Sequence, residues 1–448
     1  MIYKLAIIGG GPAGYTAAER AAHHGMTSVI FEQKALGGTC LNEGCIPTKA
    51  LLYSAKTYMQ ATNASKYGVS VENPSFDYAK MHSRKSKIVR KLVAGIKSKI
   101  NNDLTTFVAS EAVVTNYTPE KVTITANGET YEAENVLLCC GSDNIVPPIP
   151  GIDSPNVWNS TDALNINQLP GSIAIVGGGV IGMEFAALLS SLGVEVSVIE
   201  MMPEILGNMD RETSALLRAE YAKKGVTFYM QARVTAIDNQ TVHFTHEEQE
   251  KQITADKILV SVGRKARTNN LEALPLEMAK RGVAVNEHMQ TNLANVYAAG
   301  DITGYSMLAH TAVCEAEVAV SNIAGEEACM SYNAIPGVVY TCPEVAGVGV
   351  TEEMAQANAI NYAVAKLPMT FSGRFVAENE GVNGLCKVVY DVDSDKVLGV
   401  HMFGNPCSEI INMAALAIEQ GLTVKQWRNI VVGHPTVSEI IKETLWTV

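Results

Sequence analysis

Two cysteines separated by four residues are the part of this chain best suited to do chemistry. Cys40 and Cys45 lie in the segment GGTCLNEGCIPTKALL, directly before a stretch of helical character. Pro47 suits the first turn of that helix, where its missing N–H costs nothing. A thiol at a helix N-terminus is expected to have a lowered pKa, and only the thiolate attacks a disulfide. The pair therefore indicates redox exchange, although this spacing alone is more typical of unpaired thiols or of a metal site.

A glycine-rich turn near the N-terminus indicates a dinucleotide site. Residues 2–14, IYKLAIIGGGPAG, join an apolar strand to the pattern G-x-G-x-x-G on Gly9, Gly11 and Gly14. The Ala-rich helix YTAAERAAHHG follows, and then a second strand, SVIFE, that ends in Glu32. The glycines let the backbone approach a pyrophosphate at the helix N-terminus, and the acid binds ribose hydroxyls.

The same pattern recurs at the same internal spacing further along the chain. Residues 173–200, IAIVGGGVIGMEFAALLSSLGVEVSVIE, carry Gly177, Gly179 and Gly182 and end in Glu200. Two copies predict two bound dinucleotides. The first copy leads into the cysteine pair and is expected to hold FAD, and the second is expected to hold a nicotinamide cofactor. Because Glu200 would repel a 2′-phosphate and no arginine follows closely, NAD is favoured over NADP.

Composition excludes several other classes of function. The chain has 448 residues, of which 47% are apolar, enough for about three domains with cores of their own. A net charge of −12 argues against broad binding of nucleic acid or anionic membranes. No segment has the apolar length of a membrane span, and no leader precedes the first strand, so a cytoplasmic location is expected. The nine cysteines do not form a secreted disulfide pattern, and no metal is assigned.

With these motifs in place, the chain resembles the pyridine nucleotide-disulfide oxidoreductases, and within them the dihydrolipoamide dehydrogenases. The resemblance covers the whole length. It rests on GGGPAG, GGTCLNEGCIPTKALL, GGGVIGMEF, NVYAAGD, MLAHTAVCEAE, YTCPEVAGVGVTEE and HPTVSE, in the order of the family.

The resemblance implies an α/β fold with two Rossmann-like dinucleotide-binding domains, for FAD and NAD, and a C-terminal α+β interface domain that dimerises. The expected boundaries are 1–145 for the first part of the FAD domain and 146–265 for the NAD domain. Residues 266–333 would form a central domain that completes the FAD site, and residues 334–448 the interface domain.

The resemblance also assigns residues to the flavin. Cys40 is implied to be the interchange thiol that exchanges with substrate, and Cys45 the charge-transfer thiol beside the flavin. The lysine near flavin N5 matches Lys49, and its carboxylate partner matches Glu184. The further positions implied to bind FAD are Gly9, Gly11, Gly14, Glu32, Gly141, Asp301, which matches the ribityl ligand, and Ala309.

A second set of residues is implied for the nicotinamide cofactor and for proton transfer. His434 and Glu439 in HPTVSE match a base and its orienting acid, which in the family reach the disulfide of the other subunit, so a homodimer is implied. Histidine suits the base because its pKa lies near working pH. The positions implied to bind NAD are Gly177, Gly179, Gly182, Glu184, Glu200 and Gly263.

The activity implied is oxidation of protein-bound dihydrolipoyl groups through a Cys40–Cys45 redox disulfide and FAD, with hydride transfer to NAD. The implied partners are the lipoyl domain of an E2 acyltransferase or the H protein of glycine cleavage. Two alternatives stay open. One is a related FAD disulfide reductase with another substrate, of the glutathione or mercuric type, and the other is a diaphorase-like flavoprotein without thiol turnover.

Three features depart from the family or invite another interpretation. Cys139 and Cys140 end an apolar strand, so we expect both to be small core residues on opposite faces. Glu43 replaces the more usual apolar residue between the redox cysteines, which predicts a higher thiol pKa or a lower disulfide potential. The basic stretch 83–100 carries apolar residues every four positions, from Ile88 to Ile100, which predicts a solvated amphipathic helix.

Overall fold

The computed structural model describes residues Ile2–Val448. The strands, in chain order, are β1 Ile2–Ile8, β2 Ser28–Phe31, β3 Thr105–Val108, β4 Val113–Thr118, β5 Lys121–Ala126, β6 Glu129–Leu138, β7 Ser142–Asn144, β8 Val157–Trp158, β9 Ser172–Val176, β10 Glu195–Ile199, β11 Thr227–Tyr229, β12 Arg233–Asp238, β13 Thr241–His246, β14 Gln249–Thr254, β15 Lys257–Val260, β16 Arg264–Ala266, β17 Val296–Ala298, β18 Gly337–Val339, β19 Val345–Gly349, β20 Tyr362–Pro368, β21 Leu385–Asp391 and β22 Val397–Phe403.

The α-helices are α1 Pro12–His23, α2 Gly38–Asn42, α3 Cys45–Thr62, α4 Tyr78–Ile100, α5 Ser160–Leu164, α6 Val180–Ser191, α7 Arg211–Lys223, α8 Ala309–Ile323, α9 Glu352–Ala357, α10 Gly373–Glu378, α11 Cys407–Glu419, α12 Val424–Arg428 and α13 Glu439–Leu445. Short 3₁₀ helices lie at Ala64–Tyr67, Asp301–Thr303 and Met369–Phe371.

The first sheet is a parallel layer built around β1. Strands β3, β2, β1, β6 and β17 lie side by side and run parallel. On the edge of β6 that faces away from β1, the C-terminal half pairs with β17 and the N-terminal half pairs with β5. Strand β5 forms an antiparallel meander with β4 and β6. The last four residues of β1 are buried, as expected of a central parallel strand covered on both faces. The predicted strand–turn–helix–strand order of residues 2–32 is confirmed.

Small side chains bring the first helix close to this sheet. Ala13, Ala17, Ala18 and Ala21 of α1 are buried and belong to a core shared with Leu5 and Ile7 of β1. The opposite face of the sheet packs in a separate core that includes Ala6 and Val29. Alternate residues of one strand therefore enter different cores, and the carboxyl ends of the parallel strands lie at one edge with the N-terminus of α1.

The second sheet repeats the order and direction of the four strands around β1 in the first: β11-β10-β9-β15 corresponds to β3-β2-β1-β6. Strands β11, β10, β9, β15 and β8 form an all-parallel sheet, and β12–β13–β14 form a separate antiparallel meander. Helix α6 follows β9 as α1 follows β1. The repeat predicted from the glycine turns therefore extends to four strands of each sheet, and two Rossmann-like sheets are present as predicted.

The C-terminal region is an antiparallel sheet covered by helices. Its strand order is β18-β19-β22-β21-β20. Its core includes buried residues of α11 and α13, among them Ile411 and Ile441, together with Trp427 of α12. This α+β arrangement agrees with the architecture expected of an interface domain.

Two compact units can be distinguished in the chain. One contains the residues up to Ala50, Lys80–Ile145 and Gly263–Ser331, and the other contains Leu51–Ala79, Val146–Val262 and Tyr332–Val448. The finer division into four domains stays a prediction. Within Ile2–Val448, no helix has both the length and the apolar character required to cross a bilayer.

Candidate active site

The two cysteines lie at the junction of two helices. Cys40 is in the short helix α2, and Cys45 is the first residue of α3, so the helix begins where the proline in its first turn predicts. A Cβ on Gly38 would lie 2.7 Å from the Cα of Gly11, so the start of α2 packs directly against the first glycine turn. This contact holds the thiols beside that turn.

The thiols form a hydrogen-bonded pair. All nine cysteines of the described chain are unbridged, and Cys40 and Cys45 share a side-chain hydrogen bond. That hydrogen bond, followed by burial, raises the pKa of the Cys40 thiol well above its usual range, while the nearby charge of Lys49 opposes the shift. The expectation of a lowered pKa is therefore wrong for Cys40 in the dithiol state. The physical reason is that a neighbouring thiol and burial outweigh the field of a helix terminus.

The first glycine turn has a geometry that only glycine permits. Gly9 has φ +110°, and a Cβ there would lie 2.1 Å from the carbonyl oxygen of Cys139. A Cβ on Gly14 would lie 1.8 Å from the carbonyl oxygen of Gly9. The carboxylate of Glu32 accepts the backbone N–H of Gly10 at 2.8 Å and thereby braces the turn.

The second turn reproduces these contacts one for one. Gly177 has φ +104°, and a Cβ on Gly182 would lie 2.0 Å from the carbonyl oxygen of Gly177. The carboxylate of Glu200 accepts the N–H of Gly178 at 2.6 Å and that of Met202 at 2.7 Å. In the structure each terminal acid thus stabilises its own turn, and its binding to a ribose stays a prediction.

Both helix N-termini behind these turns suit a dinucleotide. Gly11 and Gly179 are the N-cap residues of α1 and α6, and neither helix has a side-chain cap or an acidic residue in its first turn. The first backbone N–H groups of such a helix favour a phosphate, and the missing side chains leave room for the backbone to approach it. The residues present therefore fit two dinucleotides.

Asp301 is held in place by residues that sequence reasoning missed. Its Oδ2 accepts a hydrogen bond of 2.5 Å from the Oγ of Ser142, whose Oγ also accepts the Nε–H of Arg264 at 2.7 Å. The preceding residue, Gly300, donates its N–H to the fully buried carboxylate of Glu315 at 2.6 Å. The signals available in the sequence were weak: an arginine directly after a Gly that follows an apolar strand, and an acid inside an Ala-rich helix.

The remaining residues implied for the cofactors occupy the following positions. Lys49 lies one helical turn after Cys45 in α3, and Ala309 is the first residue of α8. Gly141 and Gly263 have positive φ angles of +74° and +113°, in the segments before β7 and β16. Glu184 is buried in α6 and accepts the N–H of Tyr340 at 3.1 Å. Their contacts with a cofactor stay predictions.

The structure brings His434 and Glu439 together. The Nδ1 of His434 lies 2.8 Å from Oε2 of Glu439. Glu439 is the first residue of α13, and the buried Ile440 and Ile441 anchor that helix in the C-terminal core. The histidine side chain is 80% exposed, whereas the glutamate is only 14% exposed. An anchored acid that orients an accessible imidazole is the arrangement required of a general base.

Burial decides how the Cys139–Cys140 pair and the basic stretch 83–100 are interpreted. Cys139 packs in the core on one face of the first sheet and Cys140 against the core on the other, which confirms the prediction of opposite faces. Burial raises the pKa of Cys140 to about 12. Helix α4 is amphipathic as predicted, with Ile96 and Ile100 buried, although Leu92 is exposed.

Glu43 lies at the end of α2, with Oε1 3.9 Å from the Nζ of Lys34. Lys49 and Asp301 are charged side chains that act on the pKa of Cys40, and Glu43 acts on the pKa of Arg264. The predicted effect of Glu43 on the redox potential stays a prediction.

Comparison with known proteins gives a consistent result. A family model described as pyridine nucleotide-disulphide oxidoreductase matches residues 3–316, and the dimerisation domain of the same family matches residues 335–445. A dihydrolipoyl dehydrogenase of Thermus scotoductus is 38% identical over 452 residues, which cover 98% of this chain and 96% of that protein.

Two solved structures also match over the whole chain. The HOCl-induced flavoprotein disulfide reductase RclA of Escherichia coli is 26% identical with a TM-score of 0.87, and the match covers 100% of both chains. LpdA of Mycobacterium tuberculosis has a TM-score of 0.91 at 24% identity, and the match covers 100% of this chain and 99% of that chain, which shows a shared fold.

Proposed function

The chain belongs to the pyridine nucleotide-disulphide oxidoreductase family, and from that premise we propose that it is a dihydrolipoyl dehydrogenase. The observation that carries the redox chemistry is the hydrogen-bonded pair of Cys40 and Cys45, packed against a glycine turn that fits a dinucleotide. The choice of a dihydrolipoyl substrate is supported by the similarity to the Thermus scotoductus dihydrolipoyl dehydrogenase over nearly the whole chain.

The reaction would begin with the Cys40–Cys45 pair as a disulfide. His434 takes the proton from the first substrate thiol, and the substrate thiolate attacks the Sγ of Cys40. The bond between the two cysteine sulfurs breaks, and Cys45 leaves as a thiolate. The second substrate thiol attacks the substrate sulfur of the mixed disulfide and closes the substrate disulfide, and its proton passes to the sulfur of Cys40, which is released as a thiol. Two electrons have then moved from the substrate to the cysteine pair.

A bound cofactor would be required to carry electrons from the reduced cysteine pair to a nicotinamide. The chemistry that bound FAD would supply is transfer of these two electrons to a nicotinamide as hydride. The residues that would hold FAD are the first glycine turn with Glu32, and Asp301, which begins the 3₁₀ helix after β17. The protein's own contribution is to keep the thiol pair beside that turn, through the contact of α2 with Gly11.

The second turn would hold NAD. Glu200 follows β10 directly, and both of its carboxylate oxygens accept backbone N–H groups, so its negative charge has a defined position beside the turn. A carboxylate in that position binds ribose hydroxyls and repels a 2′-phosphate. Met201 and Met202, the next two residues, carry no positive charge that would attract such a phosphate.

We further propose a homodimer, supported by the match of residues 335–445 to a dimerisation domain. In that dimer the His434–Glu439 pair of one subunit would serve the thiol pair of the other. The exposure of the His434 side chain in the single chain is consistent with this role. The reduced lipoyl group would be carried by a partner protein, an E2 acyltransferase or the H protein of glycine cleavage.

A second candidate is a flavoprotein disulfide reductase with a different substrate. The specific observation in its favour is the structural similarity to RclA, an HOCl-induced flavoprotein disulfide reductase. The identity to that protein, 26%, is lower than the 38% to the dihydrolipoyl dehydrogenase of Thermus scotoductus.

Initial rates of nicotinamide reduction by free dihydrolipoamide test the proposal. The purified flavoprotein is assayed with NAD and, as a matched control, with NADP at the same concentration. We expect fast turnover with NAD and slow turnover with NADP. Negligible thiol oxidation by protein that retains its flavin would reject the dihydrolipoyl substrate and favour the second candidate.

A further inference from the structure

Arg264 directs its guanidinium into a short network of hydrogen bonds that ends at Asp301. Its Nε–H donates to the Oγ of Ser142 at 2.7 Å, and its Nη2 donates to the backbone oxygen of the same residue at 2.7 Å. Its Nη1 donates to Oδ1 of Asn144, also at 2.7 Å. All three nitrogens of the guanidinium therefore donate to residues of β7, the strand that pairs with the β16 strand of Arg264.

The network reaches Asp301 through one hydroxyl. The Oγ of Ser142 accepts from Arg264, so its own proton points to the carboxylate of Asp301, 2.5 Å away. Ser142 is buried, and both hydrogen bonds involve a charged group, which makes each of them stronger than a neutral one. The direction in which the Asp301 carboxylate points is thus set by an arginine that belongs to a different strand.

The backbone of Asp301 is set independently. Gly300 has φ +84° and ψ −156°, and its N–H is held by the buried Glu315 at 2.6 Å. The carbonyl of Gly300 accepts the hydroxyl of Thr303 at 3.0 Å. These contacts fix where the Cα of Asp301 lies, and the Ser142 contact then selects the orientation of its side chain.

Keeping a guanidinium in this position has a cost. Burial lowers the pKa of Arg264, and the carboxylates of Asp301 and Asp143 act in the opposite direction. A buried charge is retained only where hydrogen bonds and opposite charges compensate its desolvation. An apolar side chain at position 264 would pack against the β7–β16 pair without that desolvation cost. Packing alone therefore does not explain why an arginine occupies this position.

We propose that Arg264 is a positioning residue that acts through Ser142 to orient the Asp301 carboxylate toward the hydroxyl-bearing chain of a bound flavin. The inference rests on the proposed function, because it takes FAD as the ligand of Asp301. In this proposal Arg264 takes no direct part in thiol exchange or in electron transfer. Its contribution is the pre-organisation of one carboxylate, which lowers the entropy cost of binding the flavin.

FAD affinity of the apo-protein tests the proposal. Wild type, Arg264→Met, Arg264→Lys and Ser142→Ala are stripped of flavin, and the dissociation constant of FAD is measured by quenching of flavin fluorescence. We expect Arg264→Met and Ser142→Ala each to bind FAD about 10- to 100-fold more weakly, the loss typical of a hydrogen bond to a charged group. Arg264→Lys should recover only part of the affinity, because an ammonium cannot reproduce the planar fork.

The control variant is Arg267→Met. Arg267 lies just after β16 and pairs with Asp143 on the opposite strand, but within the described chain its side chain does not hydrogen-bond to Ser142 or Asp301. Its removal should change FAD affinity less than about 3-fold. Equal losses of FAD affinity in Arg264→Met and Arg267→Met would mean that the effect is not specific to the arginine that contacts Ser142, and would overturn the proposal.

A double-mutant cycle separates positioning from a merely structural effect. In an Asp301→Asn background, Arg264→Met should cause little further loss, because the residue it acts on has already changed. Additive losses would overturn the proposal. If Arg264→Met does not fold, judged by circular dichroism of the apo-protein, Ser142→Ala decides, since it removes a single hydroxyl.

The proposed function and this inference fail in different ways. Wild-type protein that binds no FAD would reject both. Wild-type protein that binds FAD while Ser142→Ala and Arg264→Met bind it within about 2-fold of wild type would reject the positioning role alone.

Discussion

The Nδ1 nitrogen of His434 lies 2.8 Å from Oε2 of Glu439, and the two side chains differ sharply in exposure. The acid begins a helix anchored in the C-terminal core, while the imidazole extends into solvent. Occupation of Nδ1 by the carboxylate leaves the opposite ring nitrogen available to accept a proton from a substrate thiol.

Glu439→Gln should lower the rate of dihydrolipoamide oxidation by about 10-fold or more, because the charge that stabilises the protonated imidazole is lost. Steady-state kinetics with dihydrolipoamide and NAD measure the effect. Glu443→Gln, one turn further along the same helix and exposed, should leave the rate unchanged. Reduction of a quinone dye by NADH should also be unaffected, since it needs no thiol chemistry, and a parallel loss there would argue against a role in proton transfer.

Cys40→Ser should abolish thiol turnover while reduction of quinone dyes by NADH persists. The serine hydroxyl cannot form the mixed disulfide on which the reaction depends. Both activities are measured on the same preparation, with Cys329→Ser as the control, because that cysteine is exposed and lies outside the thiol pair. Residual dihydrolipoamide turnover in Cys40→Ser would contradict the assignment of Cys40.

Glu200→Gln should reduce the preference for NAD over NADP by about 10-fold, because the carboxylate no longer repels a 2′-phosphate. The ratio of kcat/KM for the two cofactors is the measurement. Glu195→Gln is the matched control, since it alters an exposed acid at the start of the same strand. An unchanged ratio in Glu200→Gln would mean that cofactor choice is made elsewhere.

Lys387→Met should lower the free energy of unfolding by about 3 kcal/mol, the usual effect of leaving a buried carboxylate, here that of Asp210, without its cation. The side chain of Lys387 is 2% exposed and lies 3.0 Å from Asp210 and 2.6 Å from Glu352. Urea denaturation measures the loss. Lys366→Met is the control, because Lys366 pairs with Glu212 at the surface and its removal should cost less than about 1 kcal/mol.

This stabilisation should depend on pH in a defined way. Burial opposes ionisation of Glu212, but hydrogen bonds from Lys387 and Lys366 outweigh burial and lower the pKa of this carboxyl. The contribution of Glu212 to stability is therefore lost as the pH falls below the ordinary pKa of a glutamate. For Lys387, burial is outweighed by hydrogen bonds to carboxylates, which raise its pKa, so its contribution is lost only in strong alkali. The difference between wild type and Lys387→Met should be constant between about pH 5 and 10 and shrink in acid. A difference that grows in acid would contradict this account.

Motifs that act through local geometry could be predicted from the sequence. A strand, a glycine turn and a helix allow few backbone paths, so the spacing of Gly9 and Gly14 was enough to place a nucleotide turn, and the repeat at Gly177 a second one. Cys40 and Cys45 were placed beside the first turn by chain connectivity alone. His434 and Glu439 are five residues apart, close enough for a helix start to bring them together.

Contacts between distant segments could not be predicted in this way. Ser142 and Arg264 are 122 residues apart, and they meet because β7 and β16 pair in one particular register, which no local pattern specifies. The direction of the Cys40 pKa shift was likewise decided by the hydrogen bond to a neighbouring thiol and by burial, whereas a helix terminus alone predicts the opposite direction. The sequence thus determined the types and order of the reactive groups through short-range backbone sterics, whereas their orientation and electrostatics were decided by long-range packing.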